Sequence, residues 1–148
     1  MKILNIIESL NTQIPYRWII QSDKNWWGEF TIGANEYFVE ISEYLDGDDG
    51  DKAYWNIGFE ALTSKYELTD NKEEFKVFST VIKMIEEFVI KVKPARLTFS
   101  GDKKTMGGRE TSRVSLYRRM VNRFGKRHGY KVRESNKSNI SVKFVLER

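Results

Sequence analysis

One stretch, Thr69 to Ser100 (TDNKEEFKVFSTVIKMIEEFVIKVKPARLTFS), constrains the fold of this chain more than any other. It reads as an amphipathic helix that feeds directly into a buried strand. Phe75, Phe78, Val81, Ile82, Ile85, Phe88, Val89 and Val92 recur at spacings of three and four, which places them on one stripe of a helix. Lys76, Lys83, Glu86, Glu87 and Lys91 fall mostly on the other side. Asp70 with Glu73, or Asn71 with Glu74, offers a capping box, and acidic residues in a first turn suit the positive end of the helix dipole. Pro94 disfavours the helical conformation at Lys93 and has no amide hydrogen to extend the ladder, so the spacing predicts a helix over 71–93. A short strand follows over 95–100, with Leu97 and Phe99 on one face.

Around that unit the remaining elements fall into order. Ile3, Leu4, Ile6, Ile7 and Leu10 have helical spacing and predict a short first helix that ends before Pro15. Tyr16 to Gln21, Trp27 to Ile32, Asn35 to Tyr44 and Tyr54 to Ala61 are aromatic and β-branched and predict four strands, the second and third joined by a tight turn at Gly33-Ala34. In the third, Tyr37, Val39 and Ile41 alternate with Glu36, Phe38, Glu40 and Ser42, the period of a half-buried strand. After a basic loop (GDKKTMGGR, 101–109), Thr111 or Ser112 caps a second helix running to Arg127. Val114, Tyr117, Met120, Val121 and Phe124 form its apolar stripe. Gly125 weakens its last turns, Gly129 is its C-cap, and strands over 130–134 and 140–146 close the chain. The result is an α/β fold: a twisted, mixed and mostly antiparallel sheet flanked by two long helices.

Length and composition set the outer limits. A chain of 148 residues with 40% hydrophobic and 14% aromatic content predicts a single domain, 1–148, with its own core. It has no cysteine, which excludes disulfides and thiolate metal sites, and its one histidine, His128, leaves no histidine pair to hold a metal. The opening MKILNIIESL matches neither a signal peptide nor a membrane span, so a soluble, cytoplasmic protein with no membrane partner is expected. The acidic loop 46–51 (DGDDGD) lacks the spacing and the distant glutamate of a calcium-binding loop. No metal site is expected.

The net charge of +4 hides an asymmetry. Residues 1–90 carry 8 Lys and Arg against 17 Asp and Glu, a balance of −9, whereas residues 91–133 carry 14 against 2, a balance of +12. An acidic front is joined to a basic back, which points to an anionic partner for the back or to charge solvated on a helix face.

The element order, together with Leu116-Tyr117 in SRVSLYRRM and His128-Gly129-Tyr130 before the penultimate strand, resembles the GCN5-related N-acetyltransferase (GNAT) superfamily from the first strands to the C-terminus. FKVFSTVIKMIEEF and SRVSLYRRM also look like small bacteriophage-encoded proteins of GNAT-like appearance, which implies a host-cytoplasmic or virion setting. The resemblance implies that acetyl-CoA would bind where the fourth strand leads into the following helix, through Lys65, Thr69, Asn71 and Lys72. It implies that Tyr117 would serve as proton donor to a thiolate and that Glu60 is where a base would sit. The chain departs from the family there. Ser64 to Phe75 (SKYELTDNKEEF) contains no glycine, and Asp70, Glu73 and Glu74 would meet a pyrophosphate with like charge.

Each candidate also has an ordinary structural reading. Tyr117 lies on an apolar stripe and reads as a core tyrosine, Glu60 as an exposed strand glutamate, and His128 as a cap on helix-end carbonyls. Arg113, Arg118, Arg119, Arg123, Lys126 and Arg127 read as an anion-facing or partner surface. An acidic protein surface, a second copy of the chain, or nucleic acid with Tyr130 stacking on a base would each fit. Trp18, Trp26, Trp27 and Trp55 fill the core or anchor such a contact. The expected function is therefore a non-enzymatic binding or assembly protein that retains the fold without a working cofactor loop. The alternatives are an N-acyltransferase using acetyl-CoA through an atypical site and a nucleic-acid binder acting through the helix 112–127.

Overall fold

The computed structural model describes residues 14–45, 53–61, 71–102, 112–135 and 141–148. Within them the chain runs β1 (Tyr16–Gln21), β2 (Asn25–Ile32), β3 (Asn35–Leu45), β4 (Ala53–Ala61), α1 (Asn71–Val92), β5 (Arg96–Asp102), α2 (Ser112–His128), β6 (Lys131–Ser135) and β7 (Ser141–Glu147). The expected strands and the two later helices are all present, their ends displaced by a residue or two. The helix expected over residues 3–10 and the acidic loop 46–51 lie outside the described residues.

The seven strands form one mixed sheet in the order β1-β2-β3-β4-β5-β7-β6. All neighbours are antiparallel except β4 and β5, which run parallel and are linked through α1. A parallel pair needs a crossover connection, and an amphipathic helix supplies one while covering the sheet.

Strand alternation sorts the side chains onto two faces. Trp26, Phe30, Ile32, Tyr37, Val39, Ile41, Trp55, Ile57, Phe59, Leu97, Phe99, Phe144 and Leu146 share one face and are buried. Both helices pack on this face. From α1, Phe88 meets Trp26 and Trp55 edge-on with ring centroids 5.2 and 4.9 Å away, and Phe78 meets Phe59 at 5.7 Å. From α2, Phe124 meets Phe99 at 6.2 Å and stacks on Tyr130 at 6.5 Å. The sheet is thus covered by helices on one side, and among the described residues no helix lies on the other.

The stripe of α1 is shifted from the sequence pattern, and Phe75 and Val92 at its two ends are only partly buried. Phe78, Val81, Ile85, Phe88 and Val89 are buried as expected, but Ile82 is only partly buried, while Val77 and Met84 are fully buried. Gly28 explains Met84. A Cβ at Gly28 would stand 2.2 Å from Met84 Cε and 2.9 Å from Trp18 Cε3, so the missing side chain on β2 is the space that the methionine occupies. Gly125 plays the same part for α2. A Cβ there would lie 2.4 Å from Val132 Cγ2, so this glycine brings α2 onto β6 and does more than loosen the helix end.

Both helices stop through a left-handed residue. Gly129 takes φ 79°, and the amide of Tyr130 donates to Gly125 O at 2.7 Å, closing a Schellman motif. At α1 the residue in that position is Lys93, with φ 52°, and its amide donates to Val89 O at 2.8 Å. Pro94 bars Lys93 from the right-handed helix, which therefore ends at Val92, one residue before the expected end.

Candidate functional site

Two places in the fold bring chemistry together. The first is the end of the parallel pair. Backbone pairing of β4 and β5 runs from Trp55↔Leu97 to Gly58↔Ser100, yet β4 continues to Ala61 and β5 to Asp102. α1 and α2 both begin beyond the carboxyl ends of these strands, so two helix N-termini lie at the end of the sheet where the pair stops. In an open α/β sheet, ligands enter outside the carboxyl ends of parallel strands. Glu60 lies there on β4, exposed, past the last paired residue. Asn71 and Lys72 are the first two residues of α1, and Tyr117 and Arg113 lie in the N-terminal half of α2. Lys65 and Thr69 lie outside the described residues. The backbone thus gathers Glu60 and the start of α1 at one end of the sheet.

Beside that end, on the uncovered face, is a groove of about 220 Å³ lined by Phe38, Glu40, Ser42 and Tyr44 of β3 and by Asn56, Gly58, Phe59 and Glu60 of β4. Among the described residues nothing lies within 4 Å of the place a Cβ would take on Gly58, so this glycine is the open floor of the groove. Ser42 Oγ donates to Glu40 Oε1 at 3.1 Å, and Thr98 Oγ1 donates to Asn56 Oδ1 at 2.8 Å. Tyr44, 49% exposed, stacks on Tyr54 at 5.8 Å, and the Arg96 guanidinium lies 5.7 Å over the Tyr54 ring. Sequence reasoning weighed Glu60 alone and missed the groove. A glycine inside a strand, with glutamates at alternating positions on its neighbour, was the available signal.

The second place is the outer side of α2. Arg119, Arg123, Lys126 and Arg127 are exposed and lie along one stripe opposite the buried Val121, Phe124 and Gly125. The six residues expected to form an anion-facing surface are not equivalent. Arg118 is turned to β6, where its guanidinium donates twice to Glu134, at 2.8 and 2.9 Å. A bidentate pair of this kind is structural, so Arg118 leaves the candidate surface. Arg127 stands 3.7 Å from Glu86 on α1, whereas among the described residues Arg119, Arg123 and Lys126 have no ion-pair partner.

His128 does not cap carbonyls. Its ring packs on Phe124 at 4.6 Å, and its Nε2, 3.6 Å from Glu86 Oε2, is buried with no hydrogen-bond partner among the described residues, so it is Arg127 that pairs with Glu86 across the two helices. One residue along α1, Glu87 accepts hydrogen bonds from Tyr16 at 3.1 Å and from the Trp18 indole, tying β1 to the helix layer. Burial, then the hydrogen bond and charge of Glu87, push the Tyr16 phenol up to about 12. Burial likewise raises the Tyr130 phenol, whose hydroxyl donates to Pro94 O at 2.6 Å and over whose ring Arg148 sits at 4.7 Å. Of the tryptophans, Trp26 and Trp55 are core residues, while Trp27 is on the uncovered face, edge-on to Phe38 at 5.4 Å.

Among the described residues no three His, Asp or Glu side chains converge as metal ligands, and no helix is long and apolar enough to cross a membrane. Neither the known protein families nor the curated protein sequences contain a match to this chain.

Proposed function

We propose that this chain is a GNAT-like binding or assembly protein that engages an acidic protein surface through the cationic stripe of α2. The observation that carries the proposal is the contrast within α2. It bears six arginines and lysines and no acidic residue, and while Arg118 is taken up by Glu134, Arg119, Arg123 and Lys126 face outward without partners among the described residues. Unpaired charge of one sign on a rigid helix steers and orients an oppositely charged partner. Charge reversal by Arg119→Glu with Arg123→Glu tests this, with retention on immobilised polyglutamate as the readout. Retention at low salt should be lost in the variant while its melting curve is unchanged, and equal retention of the variant overturns the proposal. Stronger retention of the native chain on duplex DNA than on polyglutamate would favour the nucleic-acid reading instead, with affinity falling steeply with salt.

A second reading, an N-acyltransferase using acetyl-CoA, is favoured by the place where the β4 and β5 pairing ends beside the N-terminus of α1. Acetyl-CoA would supply the acyl group as a thioester. Glu60 would accept the proton of an incoming amine, Tyr117 would donate one to the departing thiolate, and Lys65, Thr69, Asn71 and Lys72 would face the phosphates. The chemistry of that segment fits poorly. Asp70, Glu73 and Glu74 in and before the first turn stabilise a helix and repel an anion, and no glycine lets the backbone close on a pyrophosphate. Calorimetric titration with acetyl-CoA and CoA at low salt separates the readings. Absence of heat supports a binding protein, and micromolar binding lost on Lys72→Ala supports the acyltransferase.

A further inference from the structure

We infer that the acidic groove on the uncovered face of the sheet is the docking site for the cationic stripe of a second copy of this chain. This rests on the reading of Arg119, Arg123 and Lys126 as a partner surface, and it names the partner. Strands β2, β3 and β4 together carry five glutamates and no lysine or arginine, so the part of the sheet that contains the groove is rich in carboxylates, of which Glu29 is paired with Arg17 of β1. Glu60 at its rim is exposed, and among the described residues neither Glu60 nor Glu40 has an ion-pair partner. Carboxylates beside the aromatic rings of Phe38 and Tyr44 form a receptor suited to guanidinium, which hydrogen-bonds at its edge and stacks on its face. The fold already uses the second contact, since Arg96 lies over Tyr54 next to the groove.

The spacings agree. Phe38 is paired with Glu60 and Glu40 with Gly58, so the two carboxylates are diagonal neighbours, roughly 7–8 Å apart at their backbones. Arg119 and Arg123 are one helical turn apart, about 6 Å. Gly58 lies between the carboxylates with open space above it, which lets a side chain from outside reach the sheet. The stripe lies on the outer side of the helix layer and the groove on the opposite side of the sheet, so no copy can satisfy its own groove. The contact is therefore heterologous, and copies associate head to tail, each presenting a free groove at one end and a free stripe at the other.

The test uses sedimentation velocity over a range of concentration and salt on the full chain and three variants: Arg119→Gln with Arg123→Gln, Glu40→Gln with Glu60→Gln, and Gly58→Val. The native chain should gain mass with concentration at low salt and revert to a monomer at high salt. The two neutralised variants should each remain monomeric, and mixing them should give a 1:1 dimer and nothing larger, because one retains only a groove and the other only a stripe. Gly58→Val changes no charge, yet by filling the groove it should abolish association while the melting curve stays native. A native chain that is monomeric at low salt overturns the inference, as does association that survives in the Glu40→Gln/Glu60→Gln or Gly58→Val variant, or a chain that binds duplex DNA as a monomer. Retention of the native chain on polyglutamate then decides the broader reading separately. If retention persists and depends on Arg119 and Arg123, the stripe serves a different acidic partner, and if there is none, both fall.

Discussion

Gly28 and Gly58 lie two strands apart in the same sheet, each in mid-strand, and they face opposite ways. Gly28 faces the helices, and its missing side chain is occupied by Met84 and Trp18. Gly58 faces away from them, and its missing side chain is empty space above a groove. The same residue type thus serves tight packing on one face and access on the other. The difference follows from which side the helices cover: α1 and α2 both carry an apolar stripe, both stripes meet the same face, and the other face keeps Glu40 and Glu60 beside the aromatic rings of Trp27, Phe38, Tyr44 and Tyr54. Stability should reside on the covered face and recognition on the open face and the outer side of α2.

The largest effect is expected at the centre of the covered face. Phe88 is fully buried between Trp26 and Trp55, and Phe88→Ala should cost about 3–5 kcal/mol through the cavity it leaves, measured by urea denaturation. Ile85→Ala should cost about 2–5 kcal/mol. A loss near zero at either position would mean that the helix layer does not hold the sheet as described. Gly28→Val should be next, at about 1–3 kcal/mol, because the added carbons must displace Met84 and the Trp18 ring. A tolerated valine at Gly28 would erase the contrast with Gly58.

A smaller effect concerns β1, the edge strand held to the helix layer through Glu87. Because the folded Tyr16 phenol titrates at about 12 against 10.0 for an ordinary tyrosine, the unfolded chain loses this proton first. The associated stability is therefore present below pH 10 and declines as pH rises toward 12. Absorbance titration should show Tyr16 ionising late, and Glu87→Gln, which removes the nearby charge, should bring that ionisation to lower pH. A Tyr16 that titrates normally in the native protein would show that β1 is not tethered there. The smallest effects should be on the open side, where Arg119→Glu with Arg123→Glu is expected to shift folding stability by less than about 0.5 kcal/mol per site. A larger loss would reveal that the stripe has internal partners and would break the division between a stabilising and a recognising surface.

The sequence by itself determined the elements. Apolar residues at spacings of three and four in α1, alternation in β3, Pro94 after Lys93 and Gly129 after His128 are local patterns with local causes, and the structure follows them to within a residue or two. The acidic and basic halves were equally plain, because charge is counted without knowing the fold. The tertiary structure alone decided which partners those elements meet. That both helices share one face, that Met84 enters the gap at Gly28, that Gly125 seats α2 on β6, and that Arg118 is spent on Glu134 while Arg119 and Arg123 are not, all depend on contacts between different elements. The groove over Gly58 belongs with these, since its walls come from neighbouring strands whose register sets Gly58 opposite Glu40. Helical and strand periodicity assigns each residue a direction relative to its own element. Whether that direction ends in a core, an ion pair or open space depends on what the other elements place there, and no local pattern carries that information.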